Sequence, residues 1–122
     1  MSRLTGDLKQ RTLTFGVSAL RLVRSFPNDL GGWVVGKQLV RAATSIGANV
    51  WEADVAHSDA DFANKMSIAR KEASETLYWV ELIRHSGLTA SDVLRTMETE
   101  AVELLSVLST IVRKTQEHIR RG

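Results

Sequence analysis

The run most suggestive of phosphate chemistry is residues 31–37 (GGWVVGK), which matches the spacing G-x-x-x-x-G-K. A nucleotide-binding loop of this kind also needs Ser or Thr after the lysine, to reach magnesium, and a strand before the first glycine. Here Gln38 follows the lysine, and Phe26 and Pro27 precede the glycines. The run therefore favours a flexible helix start over a nucleotide site.

Histidines and carboxylates at helical spacing could hold metal ions. Helical bundles bind two metals through Glu-x-x-His pairs and further glutamates. The nearest approach is residues 54–57 (DVAH), at a predicted helix end, while His85 follows Glu81 by four positions and His118 has no carboxylate three before it. We expect surface histidines, no metal and no cofactor.

Nucleophilic catalysis has little support in the sequence. The chain has no cysteine, which excludes a thiolate nucleophile or metal ligand. Ser45 lies in an alanine-rich helical run without the strained turn that exposes a catalytic serine. We therefore predict no catalytic residue and no enzymatic activity.

A polar stripe follows one side of the second predicted helix and includes Arg41 and Asn49. Glu72 and Glu75 lie one turn apart on the third helix, so we predict that Arg41 pairs with one of them, partly buried, to fix helix register. The alternatives are a solvated helix face and a catalytic carboxylate pair, which nothing nearby would supply with activated water. The predicted structural polar network is Arg41, Asn49, Glu72 and Glu75.

Large aromatic side chains fall outside the main apolar stripes. Trp79 is predicted to lie on a face directed away from the core. Off-core aromatics are typical of protein interfaces, although wide bundle faces could also absorb them. We predict that Trp51, Tyr78 and Trp79 form an oligomer interface.

Basic residues concentrate at both ends of the chain, although the formal net charge is only +2. If four helices alternate in direction, the two chain ends meet at one end of the bundle, where their positive charge would attract phosphates. The alternative is ordinary complementation of a helix C-terminus by cations. The candidate nucleic-acid contacts are Arg3, Lys9, Arg11, Arg113, Lys114, Arg120 and Arg121.

Four blocks of apolar residues at helical spacing must position these groups. In the third block the spacing alternates between four and three from Phe62 to Ile83, and the fourth block repeats it from Leu94 to Thr115. The first block carries two neighbouring stripes, one through Phe15 and one through Val17. Sustained alternation of this kind is typical of helices that pack at shallow angles.

Helix boundaries follow from proline, glycine and capping residues. Pro27 ends the first helix, Ser58 and Gly87 bound the third, and Thr89 or Ser91 can cap the fourth. Short connections make neighbours antiparallel. We predict one domain over residues 1–122, an all-α, antiparallel up-down-up-down four-helix bundle with helices near 5–25, 32–56, 59–86 and 90–120.

The expected compartment follows from two features that the sequence lacks. No apolar run approaches the ~20 residues of a membrane span, and the first residues carry no apolar signal-peptide core. We therefore expect a cytoplasmic protein.

Residues 38–53 (QLVRAATSIGANVWEA) resemble the second-helix signature of the four-helix bundle family of 23S rRNA intervening-sequence proteins. Phe26-Pro27 before this run, and residues 58–62 (SDADF) with residues 65–79 after it, are also similar to the family. The resemblance covers about residues 20–87. Glu52-Ala53 stands where much of the family has Glu-Gly.

This resemblance implies a cyclic homo-oligomer, typically a pentamer. The family includes relatives of the accessory variability protein of diversity-generating retroelements, which resembles a basic barrel that binds nucleic acid and assists a reverse transcriptase. The first hypothesis is therefore a non-enzymatic oligomeric scaffold that binds RNA, with a reverse transcriptase as a possible partner. The second is a purely structural or protein-binding oligomer, and the third is a bundle metalloenzyme.

Overall fold

The computed structural model describes residues 3, 4 and 6–122, so the predicted first residue of helix 1 lies outside it. Within these residues the chain forms four α-helices and no strand. They are α1 (Gly6–Val23), α2 (Leu30–Asp54), α3 (Asp59–Ser86) and α4 (Asp92–Arg121). The all-α prediction is confirmed.

The helix starts are set by side-chain caps. Asp29 accepts a hydrogen bond from the Gly32 backbone N at 2.9 Å, so α2 begins at Leu30 rather than at the predicted residue 32. Ser58 caps α3 in the same way, and Ser91, not Thr89, caps α4. These side chains bond backbone N–H groups that have no partner inside the helix.

The helices pack in chain order as an antiparallel bundle. Each helix contacts its neighbours in sequence, α1 closes the bundle against α4 over a shorter stretch, and the diagonal pairs make no close approach among the described residues. This is the up-down-up-down order that the short connections predicted. None of the helices in the described part of the chain combines the length and apolarity that a membrane span requires.

The core follows the predicted stripes closely in α3 and less closely at the ends of other helices. All the predicted apolar positions of α3 are buried. The four-three spacing from Leu94 places Ile111 on the predicted apolar stripe of α4, but Ile111 is only half-buried and the last buried residue is Val112. An α-helix has 3.6 residues per turn, so a strict 3.5-residue repeat drifts away from the core over several turns. The second stripe of α1, with Leu13, Val17 and Leu20, is exposed.

The α1–α2 connection depends on close backbone approach at Gly32. A Cβ atom at this position would lie 2.0 Å from the Pro27 carbonyl oxygen, whereas at Gly31 the nearest atom would be 3.7 Å away. Gly32 is therefore required by packing, and the adjacent Gly31 is not.

We expect Gly32→Ala to destabilise the fold by about 1–3 kcal/mol or more, because the clashing atom belongs to the backbone and cannot rotate away. Gly31→Ala is the matched control and should leave stability unchanged or raise it by about 0.5–1 kcal/mol through helix propensity. Urea unfolding followed by circular dichroism measures both. Equal stability of the two variants would contradict the assigned role of Gly32.

Candidate nucleic-acid interface at the terminal pole

Residues 3 and 4 meet the end of α4 at one end of the bundle, which we call the terminal pole. It comprises these two residues, the end of α2, the start of α3 and the end of α4. Arg3 lies there beside Asp59 of α3 and beside Lys114 and His118 of α4. The antiparallel order of the helices thus brings together residues that are remote in sequence.

A buried carboxylate fastens the N-terminal segment to the end of α2. Asp54 Oδ1 accepts hydrogen bonds from the backbone N of Arg3 at 3.0 Å and of Leu4 at 2.7 Å. Its Oδ2 accepts from Lys9 Nζ at 3.2 Å, and the Asp54 side chain is only 2% exposed. The Lys9 ammonium also lies 4.3 Å from the centre of the Trp51 ring. The Lys9 ammonium is therefore held by contacts within the bundle.

Arg3 continues this fastening toward α3. Its Nη1 donates to Asp59 Oδ1 at 2.8 Å, its Nε donates to the Ala56 carbonyl at 3.1 Å, and the guanidinium lies over the Phe62 ring. His118 Nε2 lies 3.5 Å from the other oxygen of Asp59. The hydrogen bond from Arg3, with a smaller contribution from His118, lowers the pKa of Asp59 below its ordinary value.

Arg11 bridges α1 and α4 instead of facing a free surface. Its Nε and Nη2 donate to the two oxygens of Glu100 at 3.1 and 2.8 Å, and Nη2 also reaches Glu103 at 3.1 Å. The hydrogen bond to Glu100 raises the pKa of Arg11. This two-oxygen geometry is among the stronger ionic contacts. It joins α1 and α4, the pair of adjacent helices with the least extensive packing.

The remaining candidate cations belong to the end of α4. Arg113 lies 3.7 Å from Glu117 one turn later. Lys114, Arg120 and Arg121 are exposed, and no carboxylate pairs with them in the part of the chain that the structure describes. The predicted set thus divides into four cations paired with carboxylates, Arg3, Lys9, Arg11 and Arg113, and three cations at the end of α4 without a carboxylate partner among the described residues.

In the polar network of α2 and α3, Arg41 contacts both glutamates and not only one of them. It reaches Glu72 through Nη1 at 3.3 Å and Glu75 through Nη2, and its Nε donates to Gln38 at 3.3 Å. Glu72 is largely buried whereas Arg41 is exposed. These contacts join α2 and α3 at the rim of their interface, and their role in fixing helix register stays a prediction.

Asn49 is not part of this network in the described structure. Its Nδ2 donates to the Ser45 carbonyl of its own helix at 2.8 Å. It shares a helix face with Arg41, but two turns of helix, about 11 Å at 5.4 Å per turn, separate the two positions. The inclusion of Asn49 was therefore wrong.

The three predicted interface aromatics do not form one surface. Trp79 is half-buried, packs against the core and donates from Nε1 to Glu75 at 3.1 Å, so its predicted direction away from the core was wrong. Tyr78 is exposed on the outer side of α3 and meets Trp79 edge-on. Trp51 is exposed beside α1 and donates to the Lys9 carbonyl at 3.2 Å. Their role in an interface stays a prediction.

The structure shows an apolar surface along α1 and α2 that was not predicted from the sequence. Leu13, Val17 and Leu20 of α1 and Trp51 of α2 are 48%, 37%, 46% and 46% exposed, and they line a groove of about 340 Å³ with almost purely apolar walls. We call this surface the α1–α2 face. The sequence does contain a signal for this face. A helix that meets the core on one side needs only one apolar stripe, whereas α1 has two.

The glycine-rich run and the histidines offer no other site. Residues 31–37 lie wholly within α2, where Gly36 packs against Phe26 and Val23. The described residues contain no group of three or more His, Asp or Glu placed to hold a metal ion. His57, His85 and His118 are all exposed.

The fold and the terminal pole define an all-α antiparallel four-helix bundle with an exposed cationic end. A family model described as 23S rRNA-intervening sequence protein matches residues 6–110. The chain belongs to this family, which confirms the resemblance read from residues 38–53. The match also takes in α1 and most of α4, which the resemblance did not cover.

A solved structure has the same fold. It is described as a protein of unknown function from the S23 ribosomal protein family of Bacteroides thetaiotaomicron VPI-5482. The two chains are 37% identical and superpose with a TM-score of 0.79, over 86% of this chain and 97% of that one. No curated protein matches the chain at a significant level.

The pKa of Asp59 tests the arrangement at the terminal pole. Because its folded-state pKa is lowered, its ion pairs stabilise the native state above the ordinary carboxyl pKa of about 3.9. That contribution disappears as the pH falls through the lowered value. We expect Arg3→Gln to move the pKa of Asp59 back toward the ordinary value, as measured by carboxyl NMR titration.

Arg113→Gln serves as the control for this titration, since Arg113 lies near the same helix end but pairs with Glu117. It should leave the Asp59 titration unchanged. An Asp59 pKa that is the same with and without the Arg3 guanidinium would show that the N-terminal segment does not reach α3.

Proposed function

We propose that this chain is a non-enzymatic helical scaffold that binds RNA through the exposed cations at the end of α4. The observation that carries the proposal is that Lys114, Arg120 and Arg121 are exposed and unpaired with carboxylates among the described residues, while the other candidate cations are held in ion pairs. Cations without local partners are the ones whose charge remains available to phosphates.

This proposal retains only some of the seven phosphate contacts that the sequence predicted. Lys9 and Arg11 would have to leave buried or two-oxygen ion pairs to reach RNA, and breaking such pairs is costly. Lys114, Arg120 and Arg121 need no such exchange, whereas Arg113 is paired with Glu117 one turn later. Arg3 lies between these cases, since it is paired with Asp59 but stands beside Lys114.

RNA binding through so few cations would be strengthened if several copies of the chain associated. One α4 end offers a small patch, and a cyclic oligomer would repeat it and raise the local positive potential. The α1–α2 face supplies an apolar surface suited to self-association. A pentamer, and a role as accessory to a reverse transcriptase, come from the family resemblance and form part of this proposal.

The family and the solved relative support an RNA partner. The family is described by its relation to 23S rRNA, and the solved relative is placed in a ribosomal protein family. The relation to ribosomal RNA is that of the family and of the solved relative. For this chain an RNA partner is proposed from the shared fold and from the charges of α4.

We expect Arg120→Glu/Arg121→Glu to weaken RNA binding by at least about tenfold, since each phosphate contact contributes to affinity through counterion release. The matched control is Arg70→Glu/Lys71→Glu, which makes the same charge change at exposed positions of α3. Fluorescence anisotropy with labelled single-stranded RNA, repeated at several salt concentrations, measures both. Equal losses in the two variants, or binding insensitive to salt, would reject the α4 site.

A second candidate function is a purely structural oligomer that binds protein only. The specific observation is the α1–α2 face, where several large apolar side chains lie next to one another in the single chain. Isolated exposed apolar residues are normal on protein surfaces, whereas contiguous ones mark interaction sites.

We expect Leu20→Glu to reduce the assembly to smaller species, because it places a charge within the apolar α1–α2 face. Leu30→Glu is the control, since Leu30 is 72% exposed at the start of α2, outside this face. Light scattering coupled to size exclusion gives the mass of each variant. A wild-type chain that is monomeric well above about 1 μM, the dissociation constant of an association worth about 8 kcal/mol, would contradict an oligomer built through this face.

A further inference from the structure

The terminal pole contains a small pocket, and the proposed function names only some of the residues that line it. Its volume is about 340 Å³, and it lies between the N-terminal segment, the start of α3 and the end of α4. It is lined by Arg3, Asp59, Phe62, Lys114, Thr115 and His118.

Three nitrogen-bearing side chains border this pocket around one carboxylate. Arg3 and His118 approach opposite oxygens of Asp59, at 2.8 and 3.5 Å. Lys114 lies one helical turn before His118 on the same side of α4, and no carboxylate pairs with it among the described residues. Arg3 and Lys114 together outnumber the single Asp59 charge, so the pocket is positive even when His118 is neutral.

The pocket also has rigid walls. The Arg3 guanidinium is held by Asp59, by the Ala56 carbonyl and by the ring of Phe62, which is itself buried. The Arg3 backbone is fixed in turn by the Asp54 carboxylate. A donor held in advance loses little freedom when an anion binds, and this raises affinity.

We propose that this pocket binds a phosphate group, with Lys114 and His118 as donors on the α4 wall and Arg3 as the positive opposite wall. The inference rests on the proposed function, which supplies the phosphate as part of an RNA strand. Asp59 acts as a positioning residue that holds Arg3, and Phe62 forms the apolar floor. A metal cation is disfavoured by the surrounding positive charge, whereas a phosphate offers several acceptor oxygens to donors from different directions.

Two sources carry this chemistry, an internal phosphodiester and a terminal phosphate monoester. Full-length isotope-labelled protein is titrated with inorganic phosphate, and with two short single-stranded RNAs of one sequence that carry a 5′-phosphate or a 5′-hydroxyl. The readouts are the NMR signals of the His118 ring and the Lys114 and Arg3 side chains. Tighter binding of the 5′-phosphorylated strand assigns the pocket to an RNA end, and equal binding assigns it to internal phosphates.

We expect saturable shifts of these three side chains, and Lys114→Gln to weaken phosphate binding by about tenfold, the loss expected for one charge-assisted hydrogen bond. His118→Gln should weaken it as well. Arg113→Gln, one residue away and paired with Glu117, should leave inorganic phosphate binding unchanged. Unsaturable shifts, or equal losses in Arg113→Gln and Lys114→Gln, would overturn the pocket.

The same variants separate this inference from the proposed function. RNA binding that drops with Arg120→Glu/Arg121→Glu but not with Lys114→Gln or His118→Gln would reject the pocket and keep RNA binding by α4. Saturable phosphate binding in the pocket without any RNA binding at low salt would reject RNA as the source of the phosphate and, with it, the proposed function.

Discussion

The arrangement of the terminal pole depends on the buried carboxylate of Asp54. A charge removed from water needs partners, and the end of a helix is an unfavourable place for a negative one because the helix dipole is also negative there. The backbone N–H groups of Arg3 and Leu4 and the ammonium of Lys9 supply these partners. The segment before α1 is thereby held against α2, and the Arg3 side chain is brought to the start of α3.

This constraint also explains why basic residues that look equivalent in sequence differ in the folded chain. Lys9 and Arg11 lie on α1, where Asp54 and Glu100 are within reach from other helices. The last turns of α4 extend to a part of the pole where Glu117 and Asp59 are the nearby carboxylates, and these contact Arg113 and His118. Net charge by segment could not show this division, because it depends on pairs 45 or 89 positions apart.

The fold was predictable because each of its signals is local. The apolar spacing of α3, the Ser58 cap and the left-handed Gly87 after Ser86 all lie within a few residues of the features they define. The candidate site was less predictable because its contacts join different helices. Spacing placed Arg41 opposite Glu72 and Glu75, but it could not tell that Asn49 would bond its own helix or that Trp79 would turn toward the core.

The exposed apolar stripe of α1 bears on what the bundle is for. Leu13, Val17 and Leu20 are exposed in the single chain, so polar residues at these positions would leave its core unchanged. Trp51 connects this stripe to the terminal pole, because its ring lies against Lys9, whose ammonium is bound to Asp54. A partner docked on the α1–α2 face would therefore adjoin the residues that hold the N-terminal segment in place. Self-association and phosphate binding would then share one rigid structure, and the assembly would stabilise the pocket wall that Arg3 provides.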